Sequence, residues 1–255
     1  RDLHSFPTRR SSDLYSSDHF LLTGPFASNG SGQLAFISEV TGPDNQRFVI
    51  YAQDGAGALT KVARTGEAAP GVPGATFTNL GQPYLNDLGH VAFFGVDSEL
   101  AHPDGYATGI WSNIGGNGVE PVVRIGQSLP GTPAGTIVSG LGGLAINNHG
   151  QVMFGAGYGF DNGDFISNVG GGIWAQDRTG NLRAIIRLGD LVDVDPGPAM
   201  DMRTVSEIDS NFLSNQRIEN RSYNDLGQIL LSLRFTDGNL GLFVSNLIAV
   251  PEPAG

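Results

Sequence analysis

The chain has 255 residues, a formal net charge of −11, a single lysine (Lys61) and no cysteine. An acidic balance of that size repels phosphate backbones and anionic lipid, which excludes nucleic acid as a partner, and the missing thiols exclude disulfides, thiolate metal sites and cysteine nucleophiles. With 38 glycines, 14 prolines and no apolar run of about 18 residues, the composition predicts many short strands joined by tight turns rather than a membrane-spanning helix.

Residues 1–14, RDLHSFPTRRSSDL, come first. The twin arginine Arg9-Arg10 invites a reading as an export signal, but Ser11 to Asp18 is polar where such a signal needs an apolar stretch. From Asn29 onward a repeat organises the chain. Asn-x-x-Gly followed by an apolar run occurs four times, as NGSGQLAF from Asn29 to Gly32, NDLGHVAF from Asn86 to Gly89, NNHGQVMF from Asn147 to Gly150 and NDLGQILL from Asn224 to Gly227. A second anchor follows each, ending at Tyr51, Trp111, Trp174 and Phe243. The third reads VARTGEAAPG, VVRIGQSLPG and IIRLGDLVDVDPG, with Arg64, Arg124 and Arg187 each 13 residues beyond the aromatic of its own unit.

Each anchor predicts local structure. Asn-x-x-Gly between two strand-like runs is a hairpin turn of type I closed by a left-handed glycine. The strand after it is apolar on both faces: Val91, Phe93 and Gly95 alternate with Ala92, Phe94 and Val96, which requires cover on both sides of the sheet. The aromatic anchor starts a third strand and the arginine anchor forms a fourth. Pro70-Gly71 and Pro130-Gly131 fit the centre of a type II turn, and Pro196-Gly197 follows them after a three-residue insertion. Each unit is therefore about sixty residues and four strands, starting near Pro25, Pro83 and Gly143, with Phe36, Phe93 and Phe154 equivalent and buried. The predicted class is all-β, a β-propeller-like tandem of about four four-stranded units over residues 15–247, with a β-sandwich as the alternative.

Candidate sites are few. Arg64, Arg124 and Arg187 form either a rim of guanidiniums for an anionic glycan or carboxylate, or a salt bridge between units; the structural reading is favoured because a position repeated in every unit serves the unit. Tyr51, Trp111, Trp174 and Phe243 are read as core aromatics before sugar platforms. Asp161 and Asp164, with Asp193 and Asp195, offer hard oxygens as weak calcium candidates, though neither pair completes an EF-hand-like pattern, and solvated turns are favoured. His4, His19, His90, His102 and His149 form no metal-spaced pair, and catalytic signatures are missing. The stretch from Gly197 to Asn224 is longer than its counterparts and breaks the pattern, so a loop-borne function is expected there.

The tandem N-x-x-G-x-x-A-F motif, followed by G-I-W and V-A-R-x-G-[DE]-x-A-P-G over roughly residues 20 to 247, resembles the bacterial choice-of-anchor tandem repeat proteins, whose activity is unassigned; Leu231 departs from it, standing where the phenylalanine is expected. Val250-Pro251-Glu252-Pro253-Ala254-Gly255 resembles the start of a PEP-CTERM sorting signal, with residues 248–255 as linker and signal. That resemblance implies export and handling by envelope sorting machinery, and a location that is secreted or in the cell envelope. His4 to Leu14 resembles the conceptual translation of a sequencing-library adapter, which makes residues 1–14 non-native and the chain a fragment cut at both ends. The functional expectation is a non-catalytic module that binds or scaffolds at the bacterial surface or matrix, with extracellular polysaccharide or surface proteins as partners. The alternative is a propeller glycan lyase or hydrolase, which needs a carboxylate pair that spacing does not identify.

Overall fold

The computed structural model describes residues 19–21, 24–42, 45–99, 107–116, 118–195, 197–209 and 223–248. Among them the chain is all-β and falls into four antiparallel sheets taken in sequence order. The first unit contains β1 (His19–Leu21), β2 (Phe26–Ser28), β3 (Leu34–Gly42), β4 (Asn45–Gln53) and β5 (Leu59–Arg64). The second has β6 (Phe77–Leu85), β7 (Val91–Asp97), β8 (Thr108–Ser112) and β9 (Glu120–Arg124), and the third β10 (Thr136–Ile146), β11 (Val152–Asp161), β12 (Ile166–Gln176) and β13 (Leu182–Arg187). The fourth contains β14 (Leu191–Asp193), β15 (Met202–Ile208), β16 (Ile229–Phe235) and β17 (Leu240–Ser245). Four separate sheets replace the two of a β-sandwich, and the architecture is the propeller-like tandem.

Cross-strand register establishes the equivalence of the units. Phe36 lies opposite Tyr51, Phe93 opposite Trp111, Phe154 opposite Trp174, and Leu231 opposite Phe243. Phe93, Phe154, Trp111 and Trp174 are fully buried and Leu231 nearly so, whereas Phe36 is only half-buried. The predicted starts of the units need correction. β6 and β10 begin six or seven residues before Pro83 and Gly143, which sit instead at register shifts inside these strands. A proline has no N–H for the ladder and is tolerated where the ladder is already broken. In the first unit the same break separates β1 from β2, which lie in succession along one edge of β3.

Both faces of the second and third sheets are used because consecutive units pack face to face. Ile50, Ala52 and Ala63 of the first unit meet Phe77, Val91, Phe93 and Trp111 of the second, with Ala69, Val72 and Ala75 of the connection between them. Ile110 and Val123 meet Val138, Phe154 and Trp174 in the same way. Ile173 and Ile186 meet Val205, Leu231 and Phe235. The tryptophans fit because small residues surround them: a Cβ on Gly95 or Gly109, which are paired across β7 and β8, would lie within 2.9 Å of the Trp111 ring.

The third core holds one orphan. Tyr223 is 5% exposed, its hydroxyl has no partner among the described residues, and burial pushes its ionisation far above the usual range, with the charge of Asp225 adding to the effect. Tyr223→Phe keeps the ring and removes an unpaired buried donor, so its urea midpoint should stay level or rise, by the equivalent of about 1 kcal/mol. A fall of that size would show that the hydroxyl is bonded.

Candidate functional site

The four Asn-x-x-Gly turns come together at one end of the array. Their glycines take φ between 76° and 83°, the left-handed region that the turn requires. In the second turn the Asn86 Oδ1 accepts the N–H groups of Leu88 (3.1 Å) and His90 (2.9 Å), and Asn147 Oδ1 does the same for His149 and Gln151. The amide end of each side chain reaches the following unit. Asn29 Nδ2 donates to the Asn86 carbonyl at 2.7 Å, Asn86 to Asn147 at 3.0 Å, and Asn147 to Asn224 at 3.2 Å. A second row runs beside it: Gly30 N donates to Asp87, Asp87 N to Asn148, and Asn148 N to Asp225. Asn148 Nδ2 bridges Asp87 and Asp225, at 2.9 Å to each. One residue type thus closes a hairpin and links neighbouring units.

The aromatic anchors are the second link. Trp111 Nε1 donates to the Pro70 carbonyl at 3.1 Å and Trp174 Nε1 to the Pro130 carbonyl at 3.0 Å. Each indole is buried, and its N–H is satisfied by the Pro-Gly turn of the connection that precedes its own unit. Gly71 and Gly131 have the positive φ predicted for a type II turn, at 76° and 78°. Gly197 does not; its N–H instead binds the Asp195 carboxylate at 2.7 Å, so the inserted third connection does not reproduce the turn.

Arg64, Arg124 and Arg187 end β5, β9 and β13, opposite Val49, Gly109 and Gly172. Arg124 is held by Asp97, whose side chain is fully buried, through Nε (3.1 Å) and Nη2 (2.9 Å), and by Glu99 at 2.8 Å. Arg187 grips Asp190 with two contacts, 2.8 and 3.4 Å. The Arg124 pairs lie within the second unit, and the Arg187 pair is made to the connection directly after β13, so neither is a salt bridge from one sheet to the next. The second residue after each arginine supplies the actual connection: the N–H groups of Gly66, Gly126 and Gly189 donate to the carbonyls of Phe77, Val138 and Val205 on β6, β10 and β15 of the next unit.

The calcium candidates are spent on turns. Asp161 caps Gly163 N, Asp193 accepts from Asp195 N and Asp201 N, and Asp195 from Gly197 N, while Asp164 is exposed. No group of three His, Cys, Asp or Glu able to hold a metal occurs among the described residues. His90 and His149 flank their turn glycines, half-buried and exposed. The side chain of His19, together with His4, His102, residues 1–14 and the motif Pro251, Glu252 and Pro253, lies outside the described residues. The stretch from Gly197 to Asn224 is in part regular: β15, the second strand of the fourth unit, occupies Met202–Ile208. Sequence reasoning also missed a capping aspartate, Asp177, whose carboxyl is brought down to about 2 chiefly by the Thr179 hydroxyl, with Arg183 assisting.

A solved structure of a protein from Lactobacillus plantarum is similar at 15% identity, covering 92% of this chain, with a TM-score of 0.29. The chain spans 57% of that protein's length. No curated protein matches. The match to a family extends over residues 9–255, and the chain belongs to that family, the Family of unknown function (DUF7453).

Proposed function

We propose that this β-repeat module is exported, sorted at the bacterial envelope, and binds or scaffolds there without catalysis. The observation that supports this most is the use of its recurring polar side chains. Asparagines and tryptophans tie unit to unit, Arg124 is neutralised inside its own unit, and Arg187 by the connection that follows it. Repetition therefore maintains a long stacked array whose contact surface is its loops and outer strands. With a net charge of −11, the array favours neutral polysaccharide or basic surface proteins over polyanions. The C-terminal Val-Pro-Glu-Pro is the segment for the sorting machinery.

The test is fractionation of cells expressing the natural gene, combined with co-sedimentation of the protein with the extracellular polysaccharide of the same bacterium. Recovery in the envelope or medium, with polysaccharide retained and its chain length unchanged, is the expected result. A cytosolic protein would overturn the location, and new chain ends on the polysaccharide would move the protein to the lyase or hydrolase class.

A further inference from the structure

Asparagine followed by glycine is the dipeptide most open to spontaneous deamidation, because glycine has no side chain to shield its backbone nitrogen from the neighbouring amide. It occurs three times, at Asn29-Gly30, Asn117-Gly118 and Asn162-Gly163, and Asn117 lies outside the described residues. In the other two the glycine N–H is held by a carboxylate in nearly the same way: Gly30 donates to Asp87 Oδ1 at 2.6 Å and Gly163 to Asp161 Oδ1 at 2.7 Å. The attacking nitrogen is therefore restrained alike, and the difference lies in the side chain that it must attack.

Asn29 is half-buried and both polar atoms of its side chain are bonded. Its Oδ1 accepts the N–H groups of Ser31 (3.1 Å) and Gln33 (2.8 Å), and its Nδ2 donates to Gln33 Oε1 (2.6 Å) and to the Asn86 carbonyl (2.7 Å). Turning its Cγ toward Gly30 N breaks these bonds, including the one to the second unit. Asn162 stands at the tip of the hairpin between β11 and β12. It is exposed, and its side chain makes no hydrogen bond among the described residues; only its backbone N–H is held, by the Phe165 carbonyl at 3.1 Å. Nothing crowds the glycine either, since a Cβ on Gly163 would meet no atom within 4 Å.

We infer that folding leaves Asn162 as a site of spontaneous deamidation and shields Asn29. Gly163 N gives up its proton to solvent base and attacks Asn162 Cγ. The new N–Cγ bond closes a succinimide while the Cγ–Nδ2 bond breaks, and Nδ2 takes up a proton and leaves as ammonia. Water then opens the ring at either carbonyl and leaves aspartate or isoaspartate. Each event replaces a neutral amide with a carboxylate, so the formal net charge goes from −11 to −12 and a third acid stands between Asp161 and Asp164.

The test incubates the 255-residue protein at mildly alkaline pH, folded and in denaturing urea, and follows the Asn29 and Asn162 peptides by mass spectrometry, with isoaspartate identified by its methyltransferase. In the folded protein Asn162 should convert at least about tenfold faster than Asn29, because the side-chain bonds that Asn29 must open are ones that Asn162 lacks. In urea, where those bonds are gone, the two rates should be comparable. A folded-state ratio below about tenfold would overturn the inference by showing that the bonds to Asn29 do not restrain it. A ratio that persists unchanged in urea would overturn it as well, since the flanking residues rather than the fold would then set the rates.

Discussion

Phe93→Ala should destabilise the protein by about 3–5 kcal/mol, the range for emptying a fully buried aromatic site. Phe93 is 0% exposed and wedged between Phe77, 5.9 Å away by ring centroids, and Trp111, 6.5 Å away and stacked. Trp111 cannot move into the vacated space, because its Nε1 is tied to Pro70 and its ring is already close against Gly95 and Gly109. The cavity therefore persists between the first and second units instead of collapsing. Phe36→Ala, at the equivalent but half-buried site, should cost clearly less. Urea unfolding of both variants checks this. Equal losses would mean that the second unit's interface carries no more load than the first unit's outer face.

The repeat was legible because two of its anchors have a local meaning. Asn-x-x-Gly specifies a turn whatever lies around it, and an apolar run after it with no polar face specifies a doubly covered strand. Four units of antiparallel strands follow from these rules and are found; the register that sets each aromatic opposite the phenylalanine, or opposite Leu231 in the fourth unit, was learned from the structure. The tie from indole to proline carbonyl was not read, because it joins two motifs that each made sense alone. Its signal was present: Pro70 precedes Trp111 by 41 residues and Pro130 precedes Trp174 by 44. A buried indole also needs an acceptor.

One arginine partner was hidden for a different reason. The acid that holds Arg124 does not recur: Asp97 of the second unit corresponds to Val40, Tyr158 and Phe235 in the others. The acid that holds Arg187 does belong to the repeat, since Asp190 is the acidic position of V-A-R-x-G-[DE], which is Gln127 in the second unit. Periodicity therefore points to one partner and says nothing of the other. The starts of the units failed for a third reason, since Pro83 was read as punctuation before a strand while the fold places it at a bulge within one.

Asn86→Ala should cost about 2–4 kcal/mol, a large effect for a turn residue, because the side chain is 4% exposed and every part of it is bonded. Its oxygen takes two backbone N–H groups, of Leu88 and His90, which would lose this acceptor at a site only partly open to water. Its nitrogen donates to the Asn147 carbonyl, so the link between the second and third units goes as well. Asn224→Ala is the internal comparison: that residue is exposed, closes its own turn through Gln228 and reaches no following turn among the described residues, so about 1 kcal/mol or less is expected. Asn86→Asp separates the two roles. It keeps the acceptor for Leu88 and His90 but loses the donor and sets a carboxylate oxygen against the Asn147 carbonyl, so its loss is an upper bound on what the link contributes. If Asn86→Ala costs no more than Asn224→Ala, the row of asparagines closes hairpins and nothing else. If Asn86→Asp matches the parent, the bond to Asn147 contributes nothing, and apolar packing with the tryptophan ties must hold the units in sequence.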